Sequence, residues 1–207
     1  MTLQTLERES NGCKTVLPLD VLTPDEPRPV LLMNTIWANR SQVHDDLTTV
    51  SALRDFLGVP VDQDDLKAFR ALRQALRDLA GVLTGDTRAV AQNRDLERAV
   101  AEVNRAAKSA RQWPQLAVRD GELLRDKESE GSPADRERAS IAAEAVELFT
   151  GEGRVLLRAC YAPGCVLYFV KDHSRREWCS PSCGNRVRAA RHYRRNRGGS
   201  PGPNGFS

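Results

Sequence analysis

The sequence predicts a mainly α-helical fold with small β-hairpins (α+β), in which a helical N-terminal domain precedes a small cysteine-rich module. Apolar residues recur at steps of three and four along much of the chain before Gly151, which is the spacing of one helix face. Four of the five cysteines lie in two close pairs between Cys160 and Cys183. Arginines without any acidic residue follow the second pair, so the two parts of the chain also differ in charge.

Length and composition are those of a soluble protein of one or two domains. The 207 residues are 40% hydrophobic and 29% charged. No apolar run approaches the roughly 20 residues that span a bilayer. The N-terminus lacks a basic segment followed by an apolar one, so we expect neither a membrane partner nor a secretory signal. We therefore expect a cytoplasmic protein, and in that compartment paired cysteines more often bind metal than form disulfides.

Charge is segregated along the chain. From Gly151 onward the sequence holds 11 Lys and Arg against 3 Asp and Glu, whereas the part before Gly151 holds 20 against 25. An electropositive module attached to a mildly acidic domain predicts a polyanionic partner for the C-terminal module.

The N-terminal domain is predicted to be helical with one hairpin. Apolar spacing and capping residues predict helices at Pro29–Ala38, Asp45–Leu57, Asp62–Leu83, Thr87–Ala107 and Ser132–Phe149. The length of the first segment also fits a strand, and we favour the helix. Asp120 and Gly121 stand between two apolar stretches and predict a hairpin turn. A short edge strand is expected within Val16–Leu22, because Pro18 excludes a central position.

Residues of the long third helix divide into core and surface. One stripe predicts core and consists of Leu66, Phe69, Leu72, Leu76, Leu79 and Leu83. Arg70, Arg73 and Arg77 lie off this stripe and predict a solvated face. The inward positions predicted for the next helix are Val90, Leu96, Val100 and Val103.

No motif before Gly153 predicts catalysis. The domain lacks a phosphate-binding loop, a dinucleotide fingerprint and the motifs of zinc proteases and serine hydrolases. His44 has no nucleophile or ligand partner nearby in sequence, and Cys13 is interpreted as an ordinary thiol. We expect no enzymatic activity. A break at Thr150–Gly153 divides the chain into domains at 1–152 and 153–197, and a Gly- and Pro-rich tail at 198–207 is predicted to be disordered.

The four C-terminal cysteines have the spacing of a metal site. They form C-x4-C, thirteen intervening residues and C-x3-C, and each short gap allows a turn that points two sulfurs at one ion. This spacing suits tetrahedral zinc, so Zn²⁺ is the predicted cofactor. Four sulfurs fill such a site, and His173 is therefore interpreted as an exposed loop residue. The predicted ligands are Cys160, Cys165, Cys179 and Cys183.

Strands and a helix are predicted around these cysteines. Arg154–Ala159 is expected to be a strand or a helix end. Val166–Val170 is rich in β-forming residues and is expected to pair with Arg175–Trp178. A helix follows from Pro181 to about Asn196. A knuckle, a hairpin and a helix that carries ligands form the plan of a treble clef, so the module is predicted to be a treble-clef-like zinc finger with four cysteine ligands.

The final helix has a basic face. At about 100° per residue, one sector of roughly 100° holds Arg188, Arg191, His192 and Arg195, and Arg194 and Arg197 flank it. Ala189 and Tyr193 lie on another side, which we expect to face the hairpin and Trp178. A basic face without acids predicts contact with phosphates. Arg186 lies one turn into the helix and fits neutralisation of the thiolates equally well. The candidate nucleic-acid contacts are Arg186, Arg188, Arg191, His192, Arg194, Arg195 and Arg197.

The chain resembles the CGNR zinc-finger proteins, which pair an N-terminal ABATE domain with this type of finger. The matching residues are the two cysteine pairs, Trp178-Cys179-Ser180, the tetrad Cys183-Gly184-Asn185-Arg186 and the Arg-rich helix. Asn34-Thr35 and the Leu/Arg helix after Asp65 are similar to the ABATE pattern. The resemblance implies a stress-related bacterial transcription regulator with a DNA-binding finger.

Two functions fit these residues. The first is a transcription regulator that binds duplex DNA through the final helix, with an N-terminal domain that senses a signal or forms a homodimer. The alternative is an RNA-binding or ribosome-associated accessory protein that uses the same helix. Few aromatic rings lie near the helix for base stacking, so we place DNA first. A treble-clef nuclease is disfavoured, because no catalytic histidine precedes Cys160 in the finger.

Overall fold

The computed structural model describes residues 26–39, 42–91 and 94–197. Cys13, the edge strand expected within Val16–Leu22 and the tail at 198–207 lie outside these residues. Of these described residues, 53% are helical and the strands form small antiparallel sheets, as predicted.

The described residues form six α-helices and three two-stranded antiparallel sheets. The helices are α1 (Arg28–Met33), α2 (Val50–Leu57), α3 (Gln63–Leu83), α4 (Leu96–Ala107), α5 (Pro133–Thr150) and α6 (Pro181–Arg197). The strands are β1 (Ile36–Asn39), β2 (Gln42–Asp45), β3 (Gln112–Arg119), β4 (Glu122–Ser129), β5 (Leu157–Ala159) and β6 (Tyr168–Val170). Each strand pairs with its neighbour in this order.

Helix α3 is the centre of the core. The Asp62 carboxylate caps it by accepting from the Asp65 N–H, and the Asp65 carboxylate accepts from the Asp62 N–H, which completes a capping box. Leu72 and Leu76 of the predicted stripe are fully buried, and α3 packs against α1, α4 and α5. None of the described helices combines the length and apolar character that a membrane span requires.

The segment predicted as one helix at Pro29–Ala38 is a helix and a strand. Helix α1 ends at Met33, and the chain turns into β1 at Ile36. The start predicted at Asp45 for the next helix is also wrong, since Asp45 ends β2. Helix α2 begins after Thr49, whose hydroxyl accepts a hydrogen bond from the Ala52 N–H at 3.1 Å and so caps the helix.

The helix predicted at Thr87–Ala107 begins later than expected. Asp95 caps it by accepting a hydrogen bond from the Arg98 N–H at 3.0 Å. Val103 faces inward as predicted. Val90, Leu96 and Val100 do not, because each is more than 40% exposed.

The hairpin predicted around Asp120-Gly121 is confirmed and is longer than expected. Both turn residues have positive φ, 52° and 83°, which is the backbone that lets a two-residue turn join twisted strands. Strands β3 and β4 pair along eight residues each. Leu116, Val118 and Leu123 share one face of this hairpin and are 69–75% exposed.

The strands of the cysteine-rich module belong to the same core as the helices. Leu157 and Tyr168 are buried in the cluster that contains residues of α1, α3 and α5. The pairing predicted between Val166–Val170 and Arg175–Trp178 is wrong: β6 pairs with β5, in register Arg158 opposite Phe169. The knuckle between Cys160 and Cys165 therefore lies at the turn of this hairpin.

Candidate metal centre and nucleic-acid interface

The structure brings the four predicted ligands together. All four sulfurs lie within 4.8 Å of one another and all four residues are buried. The Sγ of Cys179 lies 3.7 Å from that of Cys165 and 3.3 Å from that of Cys183. A tetrahedral zinc site with Zn–S bonds near 2.3 Å has sulfurs about 3.8 Å apart. The donor set and its spacing therefore fit a zinc ion.

Local turns and a helix start position these sulfurs. Gly164 has φ of 72°, which a glycine adopts without strain, and the Cys165 N–H donates to the Ala162 carbonyl at 2.9 Å. Pro181 begins α6, and the Ser180 hydroxyl accepts a hydrogen bond from the Cys183 N–H at 3.3 Å. Each cysteine pair is thus held by one tight turn, as the spacing predicted.

Hydrogen bonds among the thiols divide them into two kinds. A bond with Cys165 lowers the pKa of Cys160 to about 7, and a bond with Cys160 lowers the pKa of Cys183. Bonds with Cys160 raise the pKa of Cys165 and of Cys179. A divalent cation at the centre of the cluster would displace the remaining thiol protons on binding.

Arg186 contacts the cysteine cluster directly. Its Nη2 donates to the Sγ of Cys183 at 2.8 Å. Burial lowers the pKa of Arg186, but the bond to Cys183 outweighs burial, so its net pKa is raised. This contact is the one that the neutralising role requires, since four thiolates around Zn²⁺ would leave a net charge of −2.

Arg88, which the sequence did not single out, holds the knuckle. Its Nη1 donates to the carbonyl oxygens of Cys160 at 3.0 Å, Cys165 at 3.2 Å and Leu167 at 3.2 Å. Asp86 accepts from its Nε and Nη2 at 2.8 and 2.7 Å. The Asp86 carboxylate thus fixes the guanidinium, and the guanidinium fixes the main chain around the first cysteine pair.

Two arginines predicted to be solvated are buried. Arg73 is 3% exposed and makes a two-point ion pair with Asp45 at 2.5 and 2.7 Å. Arg77 is 5% exposed and donates to the carbonyl oxygens of Met33 at 2.8 Å and Val166 at 3.1 Å. Its guanidinium also lies over the Tyr168 ring, 5.3 Å from the centroid. The prediction of a solvated face failed for Arg73 and Arg77 because their partners lie up to 89 residues away in sequence. Arg70 is half exposed, as expected.

Side chains cover the outer edge of β6. The Asn34 carboxamide donates to the Tyr168 carbonyl at 2.8 Å and accepts from the Tyr168 N–H at 3.0 Å. Glu26 accepts from the Val170 N–H at 2.9 Å, and Arg176 donates to the Val170 carbonyl at 3.0 Å. Asn34 belongs to the Asn34-Thr35 motif described above, and in the structure its side chain binds the edge of β6. His44, for which no partner was predicted, stacks on Trp37.

Helix α6 presents most of its predicted contacts to solvent. Arg188, Arg191, His192, Arg194 and Arg195 are exposed. The side chain of Arg197 lies outside the described part of the chain.

The apolar face predicted for α6 is wrong. Ala189 is exposed and Tyr193 is 71% exposed, whereas Val187 is buried against the cysteine cluster. Trp178 lies instead beside the first turn, where a Cβ at Gly184 would be 3.3 Å from its Cδ1. The cysteine positions thus determine which side of α6 is buried, and helical spacing among the apolar residues does not.

A buried cluster of four cysteines at the start of a basic helix defines a zinc-finger protein. The family comparison agrees with this class and also matches the helical region before the finger. The chain belongs to the ABATE family, whose model, described as "Putative stress-induced transcription regulator", matches residues 26–152. A second model, the CGNR zinc finger, matches residues 156–196. A comparison with curated proteins found no match.

Proposed function

We propose that the protein is a cytoplasmic, non-enzymatic transcription regulator that binds duplex DNA through α6, with Zn²⁺ bound by the four cysteines. The observation that carries this proposal is the exposed basic face of α6. Arg191, Arg194 and Arg195 have no carboxylate within 4.0 Å among the described residues, and α6 contains no acidic residue. Cations without acidic partners remain available to phosphates.

A bound metal ion would support DNA binding because it would fix the position of the first turn of α6. Cys179 precedes α6 and Cys183 lies in its first turn, so a bound ion would join α6 to the knuckle. Zinc serves here as a structural ion, since four thiolates leave no open coordination position for a substrate. We expect chelation to release α6 from its place and to abolish DNA binding.

Salt-dependent binding tests the proposal. Anisotropy with a labelled random duplex should show log K falling steeply with log salt. The double variant R191E/R195E should weaken binding strongly and reduce the slope by about 2, since each phosphate contact contributes roughly 0.9. The matched control is R54E/R98E, which makes the same charge change at exposed positions elsewhere. Equal binding by R191E/R195E and wild type would contradict the proposal.

Competition with RNA distinguishes the alternative function. If structured RNA displaces the labelled duplex at much lower concentrations than unlabelled duplex does, RNA is the preferred ligand of α6 and the alternative function holds. We expect the opposite order, because the described part of α6 offers two exposed rings, those of His192 and Tyr193, beside its arginines.

A homodimer formed by the N-terminal region completes the proposal. The apolar face of the β3–β4 hairpin is the surface we assign to it, because exposed apolar patches of this kind are typical of interaction sites. The charged residues of this hairpin nearly balance, so a polyanion is not its partner. Light scattering should show that L116E shifts dimer to monomer and that Q115E, on the opposite face, does not. A monomeric wild type would contradict this part.

A further inference from the structure

We propose that a groove on either side of Trp178 binds a single strand of nucleic acid, with one base stacked on the Trp178 indole. The inference rests on the nucleic-acid function proposed above and adds a second surface to α6. The occupant is a strand with unpaired bases, because the faces of bases inside a duplex are covered by their neighbours.

Two adjoining cavities form the groove. One has a volume of about 360 Å³ and extends from Arg175 to the first turn of α6, where Arg188 lines it. The other has a volume of about 290 Å³ and extends along the β5–β6 hairpin to Tyr161. Trp178 lines both cavities, together with its neighbours Arg176 and Glu177. The groove therefore continues from the β5–β6 hairpin to the basic face of α6.

The charged residues that line the groove are mainly cations. Four of them have no carboxylate within 4.0 Å among the described residues: Arg158, Lys171, Arg175 and Arg188. Arg176 differs, because Glu26 and Asp172 neutralise it and it lies 5.1 Å from the Phe169 ring centroid. Glu177 is the one acidic residue that lines the two cavities. The balance favours a chain of phosphates along the groove.

Aromatic rings lie among these cations. Trp178 is half-buried and packs against the cysteine cluster, so its indole is held in place while part of it faces the cavities. Tyr161 is 50% exposed at the far end. Cationic grooves with aromatic platforms are the usual means by which proteins hold single strands without base specificity. A phosphopeptide could bind the cations, but it would leave the aromatic rings of the groove without a binding partner.

The test uses the full chain and fluorescent 15-mers of dT and of U, beside the duplex. W178L should weaken single-strand binding by roughly tenfold to a hundredfold, and W178F, which keeps a stacking ring, should stay within about threefold of wild type. K171E/R175E changes two exposed or partly exposed cations and should reduce the salt slope. R54E/R98E is the charge-matched control. Affinities for dT and U identify DNA or RNA as the preferred strand.

Zinc content and thermal unfolding verify that each variant is folded. If W178L fails to fold, the effect of K171E/R175E on single-strand binding tests the groove by itself. Single-strand binding that is absent in wild type, or unchanged in both W178L and K171E/R175E, overturns the groove. If duplex binding persists in that case, the proposed function of α6 stands. If the single strands bind through the groove and the duplex does not bind, the groove stands and the duplex function fails.

Discussion

The Nη1 of Arg88 lies 3.0 Å from the carbonyl oxygen of Cys160, a residue 72 positions later in the chain. The same nitrogen serves the carbonyls of Cys165 and Leu167. A residue of the ABATE region therefore holds the main chain on both sides of the first cysteine pair. Groups that orient a ligand from outside the metal's own contacts affect metal affinity through the geometry that they fix.

Replacement of Arg88 by leucine should weaken zinc binding by roughly tenfold to a hundredfold, because the guanidinium that links three knuckle carbonyls to the Asp86 carboxylate is lost. Competition against a chromogenic chelator measures this affinity. Arg98→Leu, at an exposed position of α4, is the control and should bind zinc like wild type. Unchanged affinity in R88L would show that the knuckle keeps its shape without the guanidinium.

A fragment of residues 154–197 should bind zinc more weakly than the full chain. It lacks Arg88, Asn34, Arg77 and Glu26, which together satisfy main-chain groups from Cys160 to Val170. Buried groups without partners destabilise the folded state. Chelator competition on the fragment and on the full chain compares them directly. Equal affinities would mean that the finger folds independently.

Removal of the Asp45 carboxylate should destabilise the protein. Asp45→Ala leaves the buried charge of Arg73 without its carboxylate, and we expect a loss of about 2 to 3 kcal/mol in the free energy of unfolding. Asp55→Ala, at an exposed position of α2, should cost less than about 0.5 kcal/mol. Urea unfolding of the two variants measures the difference. Similar losses in both would contradict a structural role for the pair.

The ion pair between Asp45 and Arg73 also predicts that the free energy of unfolding decreases at acid pH. Burial pushes the pKa of Asp45 up, but the hydrogen bonds and charge of Arg73 outweigh burial and leave the pKa lowered. A lowered pKa stabilises the fold above the unfolded value of about 3.9 and loses this contribution as pH falls through the folded value. The difference in unfolding free energy between wild type and D45A should therefore narrow below about pH 4.

Tyr168 predicts the opposite, alkaline dependence. Burial, followed by the hydrogen bond to Asp86, raises the pKa of Tyr168 to about 12. The unfolded state loses this proton near pH 10, so the contribution is complete below about pH 10 and is lost as pH rises toward 12. As pH rises from about 10 to 12, the free energy of unfolding should fall less in Tyr168→Phe than in wild type. Parallel pH profiles in denaturant unfolding would show that the hydroxyl is not coupled to folding.

The features that the sequence predicted depend on neighbours in sequence. Asp62 caps α3, Asp120-Gly121 forms a turn, and each cysteine pair closes one short loop. These signals span a few residues, and local geometry decides them. The cluster of four cysteines was therefore predictable to the residue.

The features that it missed depend on partners far along the chain. Arg77 was assigned to a solvated face from helix periodicity, but carbonyls from α1 and from the knuckle supply its hydrogen bonds. The partner of β6 was misplaced because the nearer segment, Arg175–Trp178, was preferred over β5, which lies on the other side of the knuckle. Periodicity identifies apolar faces but does not show which buried polar groups will meet a cation.

The outer edge of β6 is closed by side chains and not by a third strand. A two-stranded sheet has open edges at which another chain can add a strand, which is one route to aggregation. Asn34 occupies both hydrogen-bonding groups of Tyr168, and Glu26 and Arg176 occupy those of Val170. Three side chains thus stand where a third strand would bind. Asn34→Leu would leave the N–H and the carbonyl of the buried Tyr168 without partners, which destabilises the folded state, and it would remove one of the three side chains that cover this edge.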